Sequence, residues 1–179
     1  MGVINNMLEI ENYDELPDFL SQTDIEEKLG YLILSQNKLM PATLLSAIYE
    51  LSCRQVNNYS LIDEKLREEV NKVIIALWDK SELENTELCT ATIINLGLQK
   101  AYDYLRDSID NLDSAIVKKE IEDTILEFGD SLENVSDIYW AENDVSSVCF
   151  FLFSIDARLG YETMFLTYSS EPQIGQWLM

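Results

Sequence analysis

The chemistry open to this chain is carboxylate chemistry. Between Glu120 and Ala157 there are ten acidic residues and no Lys or Arg, and the whole chain contains no histidine. Without an imidazole there is no Ser-His or Cys-His nucleophile pair, no general base of the commonest kind and no usual transition-metal ligand. Helical di-iron sites built on Glu-x-x-His are excluded with it. Carboxylates alone can hold a hard cation or present negative charge to a basic partner. For the first role, Glu122 and Asp123 beside Glu127 come nearest to a ligand set, but solvated helix faces routinely carry such acids. No EF-hand pattern supports a cation site, because the stretch at Asp107, Ile109 and Asn111 lacks its ligands and its central Gly. With six glycines and neither GxxxxGK nor GxGxxG, nucleotide binding has no support. No cofactor and no metal are expected.

For the second role the candidates are Glu120, Asp123, Glu127, Asp130, Glu133, Asp137, Glu142 and Asp144. Val117, Ile121, Ile125, Phe128, Leu132 and Val135 run through the same stretch at helical spacing. On a helix they share one face, with Glu120, Asp123, Glu127, Asp130 and Asp137 roughly 150° away. The carboxylates are therefore expected on an ordered surface. Tyr139 and Trp140 beside Glu142 and Asp144 could be aromatic anchors of that surface, or core residues.

The elements that must carry this surface read as helices. Asn12 and Glu15 can cap one short helix, with Pro17 tolerated only in its first turn. Thr23-Asp24-Ile25-Glu26 reads as a capping box for a helix that buries Ile25, Leu29, Leu32 and Ile33 and ends near Gln36, with a turn at Asn37-Lys38. Pro41 suits the first turn of the next helix, which buries Leu44, Ile48 and Leu51 and fades by Asn57-Asn58. A third helix is expected to begin at Ser60, with apolar residues at Ile62, Leu66, Val70, Val73 and Leu77. Glu68 and Lys72 on it are spaced for an i,i+4 pair worth about 0.3–0.5 kcal/mol.

Ser81–Thr86 reads as a polar loop, with Asn85 or Thr86 capping a helix that uses Ile94, Leu98, Ala101, Leu105 and Ile109. Gly97 falls inside that helix at a cost of about 1 kcal/mol relative to Ala, compensated by close approach of a neighbouring helix or by a local kink. Asn111–Asp113 starts the acidic helix. Gly129 is placed to end it, with Asp130 or Ser131 capping a short successor to about Ala141. Residues 145–155 and 161–168, around a turn at 156–160, suggest a small C-terminal β-hairpin, and a buried helix fits the same letters. The fold expected is mainly α, an antiparallel helical bundle or short α-solenoid in one domain over residues 1–179, with all-α as the alternative.

Thirty-three acids against twelve bases give a formal charge of -21. Such a charge lowers stability by self-repulsion, repels nucleic acid and anionic membranes, and draws in cationic surfaces. Direct nucleic-acid binding is disfavoured. Cys53, Cys89 and Cys149 are scattered among apolar neighbours and read as reduced core residues. Met1–Met7 has neither a basic n-region nor an apolar h-region, and Val148–Phe153 is too short to span a bilayer, so a cytoplasmic location is expected.

In size, charge, lack of histidine and helical make-up, the chain resembles the immunity proteins of bacterial contact-dependent growth inhibition and related polymorphic toxin systems. The resemblance carries no motif and assigns no residue. It implies a cognate toxin domain, frequently a basic nuclease, blocked by one-to-one binding without catalysis. A DNA mimic that inhibits a DNA-binding protein is the alternative within the binding class, and a carboxylate-metal enzyme the alternative outside it.

Overall fold

The computed structural model describes residues 12–129 and 131–132. They form six α-helices: α1 Gln22–Ser35, α2 Pro41–Val56, α3 Glu64–Leu77, α4 Leu83–Leu96, α5 Gln99–Ser108 and α6 Ala115–Phe128. Short 3-10 turns lie at Tyr13–Glu15, Gln36–Lys38 and Ile109–Asn111, and no strand occurs among the described residues. The mainly α expectation holds, with bundle-like packing. The expected hairpin at 145–168, the helix to Ala141 and the reach of a single domain over 1–179 concern residues outside those described. Within the described residues, no helix is long and apolar enough to cross a membrane.

Helix α4 is the axis of the bundle. It packs against α2, α3, α5 and α6, while α1 packs on α2 and α3. Ten of its fourteen residues are buried, so it has no polar face, as a helix enclosed by others requires. Thr86, Thr90, Thr92 and Asn95 are buried with it. Thr86 Oγ1 donates to Glu82 O at 2.9 Å, and Thr90 Oγ1 donates to Glu87 O at 3.0 Å, so two of these hydroxyls are satisfied by their own helix. The Asn95 amide reaches α2, donating to Ser52 Oγ at 3.2 Å. The outer helices bury the stripes their sequences advertise: Ile25, Leu29 and Leu32 on α1, Leu44, Ile48 and Leu51 on α2, and Val70 and Val73 on α3.

Several boundaries differ from expectation for local reasons. The cap of α1 is Ser21, which accepts from Asp24 N at 3.2 Å, rather than Thr23. The cap of α3 is Asp63, whose Oδ1 accepts from Lys65 N and Leu66 N at 3.0 and 3.1 Å; Ser60 lies outside the helix. A carboxylate takes two of the orphan N–H groups and suits the positive helix end better than a hydroxyl. Asn85 and Thr86 are already inside α4 and face back toward α3. Asn85 accepts from Asp79 N at 2.7 Å and donates to Leu77 O at 3.1 Å, and Thr86 Oγ1 accepts from Trp78 Nε1 at 3.1 Å. Glu68 pairs with Lys100 of α5, leaving Lys72 to Glu69 at 2.7 Å, so the expected i,i+4 pair does not form.

The largest correction is at Gly97. The single helix expected through Ile94 and Ile109 is two helices, because Gly97 adopts the left-handed conformation at φ 61° and ends α4. Gly97 N–H donates to Ile94 O at 3.2 Å and Leu98 N–H to Ile93 O at 2.9 Å, the paired bonds of a Schellman end. Leu98 and Ile93 are both fully buried, as the apolar pair of such a helix end requires. A Cβ on Gly97 would stand 2.9 Å from Leu61 Cδ2. A neighbour does approach closely there, but it is a leucine of the loop before α3 rather than the helix expected. Asn71 of α3 then serves the start of α5, its Oδ1 accepting from Ala101 N at 2.8 Å.

Candidate functional site

Helix α6 carries the described part of the acidic surface. The turn Ile109–Asn111 leads to Ser114, which caps the helix by accepting from Val117 N at 3.5 Å, one residue beyond the stretch Asn111–Asp113 expected to start it. Val117, Ile121 and Thr124 are buried, Ile125 and Phe128 half-buried, and the helix lies on α4 and α5. Its end is fixed. Gly129 at φ 76° closes the last turn by donating to Ile125 O at 2.8 Å, as expected of it. Tyr102 OH donates to Gly129 O at 2.5 Å, and Leu132 N–H donates to Gln99 Oε1 at 2.6 Å. Two side chains of α5 thus secure the chain as it leaves α6.

The structure places three of the eight candidate residues; Asp130, Glu133, Asp137, Glu142 and Asp144 lie outside the described residues. Glu120 is half-buried, because at about 100° per residue it falls next to the buried Thr124 at the edge of the packed face. Asp123 is exposed and pairs with Lys119, and Glu122 lies 3.9 Å from Lys118. The two lysines that immediately precede the base-free span reach one turn into it and offset its first charges. Glu127 is beyond their reach.

Glu127 is an acid placed where the helix disfavours one. It stands in the last turn of α6, which holds no base, so its charge adds to the negative end of the helix dipole. Its side chain is exposed, yet enough protein surrounds the carboxyl for desolvation to hold its pKa above the ordinary 4.5. Beside it Leu126 is 85 % exposed, an apolar side chain on the charged arc. The sequence held the signal for Leu126: it falls about 180° around the helix from Val117.

Among the described residues no group of three or more His, Cys, Asp or Glu side chains is placed to hold a metal ion. Cys53 is half-buried and Cys89 buried, and burial pushes the Cys89 thiol up to about 12. A second feature has no signal in the sequence. Trp78 and Tyr104 meet edge to face at 6.0 Å, and the Lys80 ammonium sits 5.3 and 5.5 Å from their ring centres.

An arrangement of this kind can bind a cation-bearing surface, with Leu126 as an apolar contact among carboxylates. Comparison with protein-family models, with curated proteins and with solved structures found no match to the chain.

Proposed function

We propose that this protein is a non-enzymatic inhibitor that binds a cognate basic toxin domain, a nuclease above all, and occludes its nucleic-acid-binding or active site. The observation that carries the reading is Glu127 with Leu126 at the end of α6. There a carboxyl group stands at the negative end of the helix dipole and is partly desolvated, next to an exposed leucine. A guanidinium or ammonium from a partner would relieve both penalties, and closing over Leu126 would remove apolar surface from water.

A nuclease groove is electropositive because it is built for phosphates, so carboxylates on a rigid helix can take the place of those phosphates. The charge of -21 would speed the encounter, and the short-range pairs would set the lifetime. Asp123 contributes after exchanging Lys119 for a partner's base. That exchange loses little, since exposed pairs are worth only about 0.2–1 kcal/mol.

The test is co-expression. If the gene is preceded by one for a large secreted protein with a basic C-terminal domain, that domain should be toxic alone, tolerated with this chain, and recovered with it as a one-to-one complex. Toxicity undiminished by this chain, with no complex recovered, would reject the proposal.

A further inference from the structure

Helix α1 presents a second, chemically different face. Glu27, Tyr31 and Leu34 are exposed along it, and Lys38 follows in the 3-10 turn that prolongs it. Tyr31 is 49 % and Leu34 85 % exposed, and Met40, two residues beyond Lys38, is 73 % exposed. Spacings of four and three residues put Glu27, Tyr31 and Leu34 within an arc of roughly 60° on α1, and Lys38 lies four residues on, at the end of the 3-10 turn. Neither Glu27 nor Lys38 has an ion pair within the described residues.

The order of these four residues is self-complementary. They are symmetric about the midpoint between Leu32 and Ile33, with an acid at one end, a base at the other and two apolar residues between. When two such helices lie antiparallel across a two-fold axis, Glu27 of each meets Lys38 of the other, and Tyr31 meets Leu34. A two-fold interface requires this relation, in which residue i contacts j and j contacts i.

The surroundings remove the main obstacle. Two chains of charge -21 repel one another, but from Gly30 to Ile62 the chain has a single acid, Glu50, and that carboxylate is paired with Arg54. This is the stretch on which two copies can approach with least like-charge contact. We propose that the outer face of α1 is a homodimer interface, formed antiparallel about a two-fold axis and centred on Tyr31 and Leu34. The occupant is a second copy because the charge pattern matches its own reverse. The contact is small, so the dimer is weak and reversible.

Sedimentation equilibrium of the full chain tests this over roughly 10–500 µM at moderate salt, a range suited to weak association. The average mass should rise with concentration from 20.6 kDa toward twice that value. Leu34→Glu should abolish the rise while leaving the far-ultraviolet spectrum unchanged. Glu27→Lys or Lys38→Glu alone should weaken association about three- to ten-fold, because each change appears twice in the dimer. The double variant E27K/K38E should restore it. A constant 20.6 kDa throughout would overturn the proposal and leave the face to a different protein. So would association indifferent to Leu34→Glu, or a double variant weaker than both single ones.

Discussion

Arg54→Ala should loosen the start of the fold, and the size of the effect follows from its bonds. The side chain is buried near the end of α2, and its guanidinium is fully used. Nη1 donates to Glu50 O at 2.8 Å and to Glu50 Oε2 at 2.7 Å. Nε donates to Pro17 O at 3.0 Å, and Nη2 to Leu16 O at 2.9 Å and to Asp14 O at 3.5 Å. Arg54 thereby lashes residues 14–17 to α2, just after the buried Tyr13. A hydrogen bond to a charged group contributes about 1.5–3 kcal/mol, but bonds that share one group do not add, and the freed carbonyls regain water. The net loss should be about 3 kcal/mol.

Arg54→Lys keeps the charge and can make at most three of the five bonds, so about half that loss is expected. Asn57 and Asn58 still hold Asp18 O and Leu20 O at 3.3 and 3.1 Å, so the strap should open rather than the protein unfold. Urea unfolding measures the stability, and amide exchange over residues 13–20 locates the opening. Since most of these bonds go to main-chain carbonyls, the loss should persist at high salt. A loss in Arg54→Ala under about 1 kcal/mol, or an Arg54→Lys protein as stable as the parent, would refute the reasoning.

Two further changes probe the helix ends. Gly97→Ala should destabilise by about 1–3 kcal/mol in urea unfolding, because the left-handed backbone disfavours a side chain and the new Cβ meets Leu61; an unchanged midpoint would contradict that account. Glu127→Gln should raise the thermal midpoint at neutral pH. The folded pKa of Glu127 lies above 4.5, so ionising it opposes folding at higher pH, and the gain should fade as pH falls through that folded value and vanish below 4.5. A lower midpoint at neutral pH would show that its carboxylate is stabilising after all.

Helical spacing alone located the buried stripes of α1, α2 and α6, because each of these helices is wet on one side and its apolar letters repeat accordingly. The same method misread α4. Beyond its first turn it is largely enclosed by protein, so Thr86, Thr90, Thr92 and Asn95 are buried polar residues that no periodicity marks. Gly97 was noticed for its cost in a helix, yet its role as a terminator depends on the Schellman bonds and on the position of Leu61. Where several polar letters compete, spacing alone does not single out the cap, as at Ser21 against Thr23 and Asp63 against Ser60. In the candidate site, the outward position of Asp123 and Glu127 was readable from spacing. Lys118 and Lys119 lie just outside the base-free span, so its composition does not show that they reach Glu122 and Asp123 within it.

The central claim, that the acidic face of α6 binds a basic toxin domain, is tested most directly by calorimetric titration of that domain with the parent chain and with D123K/E127K. Glu120 is left intact because it is half-buried. The account predicts a one-to-one complex with the parent, weakened at least about tenfold by the double reversal and further weakened as salt rises from about 0.1 to 0.5 M. Equal affinity for parent and variant at every salt concentration would contradict it.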